Sequence, residues 1–179
     1  TTTTEAGAPA TTARATTTTA RRAPATTARA PATTARPAPG PAELEVTEVA
    51  RGLQVPWALA WDPSGALWFT EHDASKIGRI TTAGAITEFP LAGPGRGPVD
   101  IVLGWDCALW FAQTEAATGV ARMTTAGVVT EYPVANPGAH VSGITVALDG
   151  NIWFTETFAD RIGRFETDKT NRACAGRQF

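Results

Sequence analysis

Two histidines carry the only side chains of this chain that ordinarily titrate near neutrality. One sits in the run Glu71-His72-Asp73, the other in Ala139-His140-Val141. Adjacent carboxylates and an imidazole are the donor types of a divalent-metal cluster. All three residues of the first run fall on one connection between β-prone segments, so a solvated turn is the simpler reading. Cys107 and Cys174 form no CxxC pair and no disulfide framework. They read as one buried thiol and one thiol in the C-terminal tail.

Whether His72 or His140 can do chemistry depends on the elements that hold them. Residues 66–90, ALWFTEHDASKIGRITTAGAITEFP, return nearly unchanged as ALWFAQTEAATGVARMTTAGVVTEYP at 108–133. Aligned on the central Trp, Trp68 to Trp110 is 42 residues and Trp110 to Trp153 is 43. Pro90 to Pro133 is again 43. One copy contains four short β-prone runs, Trp57–Trp61, Ala66–Thr70, Ile77–Thr81 and Ala85–Phe89, with turn residues between them. Asp62-Pro63-Ser64-Gly65 and Asp149-Gly150 read as hairpin turns, the latter with both central residues at positive φ. Thr82-Ala83-Gly84 and Thr125-Ala126-Gly127 close the outer hairpins with a Gly.

Four antiparallel strands in a repeat of this length describe one blade of a β-propeller. The fold class is therefore all-β, a propeller of four-stranded blades with three blades present. Each blade has a neighbour on both faces, so both rings of Trp68-Phe69, Trp110-Phe111 and Trp153-Phe154 are expected to be buried. Residues 43–50 resemble a fourth strand, Val46-Thr47-Glu48-Val49 aligning with Ile86-Thr87-Glu88-Phe89. The third repeat ends after Ile162-Gly-Arg-Phe165 without that strand. The organisation read from this is a disordered tail at 1–42, a partial propeller at 43–167 and a divergent C-terminal tail at 168–179.

The tail holds 14 Thr, 14 Ala and 6 Pro in 42 positions, with APATTAR at 8–14, 23–29 and 30–36. It cannot bury enough apolar surface to offset the entropy of ordering. Such tracts are typical of exported stalks and spacers, which suggests an extracellular or envelope-exposed protein. The tail carries a net +4 from five Arg and one Glu, and residues 43–179 a net -6 from ten basic and sixteen acidic groups. A mildly acidic folded part argues against nucleic-acid binding. No apolar run is long enough to span a bilayer.

The pattern LWFTE…IGRIT..G.ITE(F/Y)P resembles the repeat of the virginiamycin B lyase (streptogramin lyase) family over roughly residues 43–167. The resemblance implies a seven-bladed propeller, a cyclic depsipeptide ligand and a Mg2+-assisted elimination that opens an ester. That reaction needs a base for the proton α to the carbonyl and a cation for the developing enolate. By the resemblance, the base is a His following Pro at the start of an innermost strand. Trp57, Val99 and Ser142 fill that position here, and Trp57 and Ser142 become substrate-binding candidates. A family Glu two residues earlier corresponds to Val55, Gly97 and His140. His140, placed where a central funnel would open, is the catalytic candidate. A second family Glu, after the second strand, corresponds to Glu71 and Glu156, the metal candidates, and to Gln113.

Three readings follow: a streptogramin-type lyase or a piece of one, a secreted binding propeller without chemistry, and a non-functional fragment of a longer gene. A small cyclic peptide is the expected ligand. Open blade faces and the spare strand 43–50 also suggest a homodimer formed by strand exchange.

Overall fold

The computed structural model describes residues 45–115, 119–136 and 138–176. The Thr/Ala/Pro-rich tail expected at 1–42 lies outside the described residues. Val46–Phe179 forms one compact unit, distinct from Thr1–Glu45.

The unit is built from three antiparallel sheets. Blade 1 is β1 (Pro56–Trp61), β2 (Leu67–Glu71), β3 (Lys76–Ile80) and β4 (Ile86–Pro90). Blade 2 is β5 (Pro98–Leu103), β6 (Leu109–Gln113), β7 (Gly119–Met123) and β8 (Val129–Pro133). Among the described residues blade 3 has β9 (Val141–Val146), β10 (Ile152–Glu156) and β11 (Arg161–Phe165). Strands follow chain order within each sheet, as hairpin connections dictate. The innermost strands β1, β5 and β9 lie side by side. The partial propeller read from the repeat is therefore the observed architecture.

Alternation along each strand sends one set of side chains forward and one back. Blade 1 turns Ala60, Trp68, Ile77 and Phe89 toward Ile101, Leu109, Phe111 and Met123 of blade 2. Blade 2 in turn presents Trp110, Ala112, Val120 and Tyr132 to Ile144, Ile152, Phe154 and Phe165 of blade 3. Fully burying a large apolar side chain contributes about 1.5–3 kcal/mol, so these two seams hold the unit together. The Trp positions are not equivalent. Trp68 and Trp110 are buried and stack on Phe89 and Tyr132 at 5.4 and 5.3 Å. Trp153 is exposed, with the Arg164 guanidinium over its ring at 5.7 Å. The expectation that all three are buried fails at Trp153 because no blade follows it among the described residues.

Three further readings are corrected. Only Gly150 has positive φ in the Asp149-Gly150 turn. Ala147 N–H bonds Asn151 O and Gly150 N–H bonds Ala147 O, a four-residue turn closed by a left-handed Gly. Residues 46–50 form no strand and are largely exposed. Cys107 and Cys174 are joined in a disulfide with Cα atoms 5.2 Å apart. Cys107 occupies the turn position that Gly65 and Gly150 fill elsewhere, and shares their positive φ. The bond, with Cys174 N–H donating to Trp105 O, fastens the C-terminal segment to blade 2.

Candidate functional site

The first residue after each second strand and the residue before each first strand meet at the same end of the blades. His72 N–H donates to Val55 O at 3.2 Å, Thr114 N–H to Gly97 O at 3.0 Å, and Thr157 N–H to His140 O at 3.1 Å. Val55, Gly97 and His140 all adopt positive φ. The shared geometry points each carbonyl at the loop and starts the innermost strand beside it. In the same stretch β1 and β5 each slip register, between Pro56 and Leu59 and between Pro98 and Ile101. Irregularities of this kind re-aim side chains at sheet ends.

His72 is not the solvated turn residue that the sequence suggests. Its ring is mostly buried, with Trp57 at 5.5 Å between centroids. Nδ1 lies 2.7 Å from Asp73 Oδ1, and Nε2 lies 3.4 Å from Thr114 Oγ1 and 3.7 Å from Glu115 Oε1. The imidazole thus wedges between blades 1 and 2. Crowding explains the neighbouring Gly97, where a Cβ would come within 2.7 Å of Thr114 Oγ1.

His140 stacks on Phe158 with centroids 4.4 Å apart, and its Nδ1 is buried without a hydrogen-bond partner. Ser142 Oγ lies within hydrogen-bond distance of the hydroxyls of Thr155 and Thr157. Trp57 is exposed beside the His72 ring.

Glu71 is fully buried. Its Oε1 accepts Gln54 N–H at 2.8 Å, while Oε2 has no partner. Glu156 is buried at the corresponding position of blade 3, with blade 2 between them. Among the described residues no group of three or more His, Cys, Asp or Glu could hold a metal ion.

A concavity of about 320 Å3 lies toward the opposite end of the blades. Trp105, Asp106, Arg122, Tyr132 and Asp168 line it. Arg122 Nε donates to Asp106 Oδ2 at 2.6 Å, and Arg172 covers Trp105 at 4.2 Å. Its one sequence signal is Trp105, where the other repeats carry Pro63 and Leu148. The docking of residues 166–174 that walls it left no pattern to read.

The fold, the repeat frame and the conserved geometry of the strand starts agree with what a family model matches over residues 11–173. The chain belongs to the virginiamycin B lyase family. It is 36% identical over 64 residues to virginiamycin B lyase of Bordetella parapertussis, covering 35% of this chain and 21% of that protein. A catalytically inactive virginiamycin B lyase variant from Staphylococcus aureus, crystallised with quinupristin, superposes with a TM-score of 0.61 at 40% identity. That match covers 65% of this chain and 39% of the other. A streptogramin B lyase structure matches at 31% identity and a TM-score of 0.56, over 66% of this chain and 43% of that one. The matched region thus spans about a fifth of the curated relative and about two-fifths of the solved lyases.

Proposed function

We propose that this chain is a virginiamycin B lyase-like propeller segment that binds a cyclic depsipeptide and does not by itself open it. The observation that carries this reading is the set of side chains at the starts of β1, β5 and β9. Trp57, Val99 and Ser142 stand where the family resemblance places the base, and none of the three accepts a proton at neutral pH. Neither His of the chain substitutes for them in place: His72 wedges between blades and His140 stacks on Phe158. Trp57, by contrast, offers an exposed indole beside this end of the blades, a suitable platform for an apolar cyclic ligand. The ester-opening elimination and its Mg2+ are assigned to complete rings of the family.

Export is part of the same proposal. The Cys107–Cys174 disulfide supports it, because such bonds persist in oxidising compartments. So does the Thr/Ala/Pro-rich composition of residues 1–42.

A second reading keeps His140 as a proton acceptor, favoured by its buried, unpartnered Nδ1. One experiment separates the two. The chain is incubated with a streptogramin B antibiotic and magnesium, and the linear product, an isomer of equal mass, is resolved by chromatography. No turnover above the protein-free control is expected, together with quenching of tryptophan fluorescence that is lost in Trp57→Ala. Chelator-sensitive turnover abolished by His140→Ala would establish the second reading instead.

A further inference from the structure

The two ends of the blade stack are the two halves of an interface the molecule already contains. On blade 1, the face turned away from blade 2 carries Leu59 and Trp61, both exposed. Their repeat equivalents on blade 2 are Ile101 and Leu103, both buried, Ile101 against blade 1. Leu59 is 64% exposed where Ile101 is 3%. At the other end, Trp153 and Ile162 of blade 3 correspond to Trp68 and Ile77 of blade 1. Ile162 is 72% exposed where Ile77 is fully buried. The outer face of blade 3 is therefore a copy of the face that blade 1 presses on blade 2, and the outer face of blade 1 is a copy of the face that receives it.

Polar groups repeat the same logic. Thr70 Oγ1 accepts Ala58 N–H at 3.0 Å and donates across the seam to Val99 O at 2.9 Å. In blade 3, Thr155 Oγ1 likewise accepts Gly143 N–H at 2.9 Å. The equivalent of Val99 for a blade following blade 3 is Trp57, so the Trp57 carbonyl is the acceptor this hydroxyl would find. The edge strands match as well. β3 and β7 pair with β4 and β8, whereas β11 has no outer partner among the described residues. Val46-Thr47-Glu48-Val49 has the pattern of β4 and lies unpaired, with Val46 almost wholly exposed.

We infer that this chain associates head to tail with a second copy, the outer face of blade 3 docking on the outer face of blade 1 and residues 46–50 adding to β11. One occupant satisfies all three features, because each copy carries both complementary faces and the spare strand. A contact of this kind is heterologous, and two copies of three blades close it as a six-bladed ring.

Size-exclusion chromatography with light scattering on the full chain tests it. The expected mass is twice the chain's 18.7 kDa. Leu59→Glu and Ile162→Glu change side chains exposed in the single chain, so each variant keeps its fold, checked by circular dichroism, and runs as a monomer. Mixed in equal amounts, the two variants restore a dimer, since one Leu59–Ile162 seam remains intact between them. Removing residues 46–50 weakens the dimer. A wild-type chain that stays monomeric at high concentration overturns the inference. So does a dimer untouched by both glutamates, or a mixture that fails to recover dimer mass, which would mean that like faces meet.

Discussion

The indole N–H of Trp68 donates to the carboxylate of Asp62 at 2.9 Å. The same carboxylate accepts the hydroxyl and backbone N–H of Ser64 and the backbone N–H of Ala66. One side chain thus closes the β1–β2 turn and fixes the ring that fills the seam between blades 1 and 2. Burial alone would raise the Asp62 carboxyl; the hydrogen bonds from Ser64, Trp68 and Ala66 outweigh it and hold the group below its ordinary value.

The sign of the resulting pH dependence follows. A carboxyl depressed in the folded state stabilises the fold above its unfolded value, about pH 4, and that contribution disappears as pH falls through the folded value. Asp62→Asn is expected to cost about 1–3 kcal/mol at pH 7. Urea midpoints of wild type and variant should converge as pH falls through the depressed value of Asp62. A gap that stays constant through that value would show that the charge is not what matters.

Trp68 and Trp153 occupy the same repeat position in opposite surroundings. Trp68→Ala is expected to cost on the order of 3–5 kcal/mol, since it empties a fully packed site. With a total stability of only ~5–15 kcal/mol, that approaches unfolding. Trp153→Ala, in a chain kept monomeric, should cost less than about 1 kcal/mol, as exposed substitutions usually do. Equal losses measured by urea denaturation would contradict the burial difference.

The contrast between these two Trp residues also shows how far the sequence could be read. Strand positions were legible to within a residue because the apolar runs and turn residues of the repeat coincide. A repeat implies a neighbour for every blade, however, and only the structure shows that Trp153 has none among the described residues. The fourth-strand pattern of Val46–Val49 was legible as a pattern, yet those residues join no sheet of their own chain. His72 looked solvated because Thr114 and Glu115, 42 and 43 residues away, are brought to it only by blade packing. The cysteines gave no signal because Cys107 hides in a glycine position of the turn.

That position makes the disulfide testable against its own backbone cost. Cys107→Gly relieves a left-handed residue, a gain of up to about 1 kcal/mol. It also opens a covalent loop spanning 67 residues, whose closure is worth about 4 kcal/mol in the chain-entropy picture. Net destabilisation is expected, and Cys174→Ser should lose more than Cys107→Gly because it gains nothing in return. Reductant should lower the urea midpoint of the wild type and leave both variants unchanged. A wild type indifferent to reductant would mean that the bond is not formed in solution.

Thr70 and Thr155 give the last comparison. Thr70 is fully buried, and its hydroxyl bridges Ala58 N–H and Val99 O across the first seam. Thr70→Val keeps the shape and removes both bonds, leaving a donor and an acceptor unpaired inside the stack. Each orphaned group costs about 1–3 kcal/mol, so a loss of at least about 2 kcal/mol is expected. Thr155 holds the matching Gly143 N–H but lies on an exposed strand face. Water replaces its bonds, and Thr155→Val should leave the urea midpoint of the monomeric Leu59→Glu chain nearly unchanged. In the wild-type background the same change removes the hydroxyl that meets the Trp57 carbonyl of a second copy, and dimer dissociation should shift to higher protein concentration. Thr155→Val destabilising the monomer as much as Thr70→Val would show that this face is already covered within one chain.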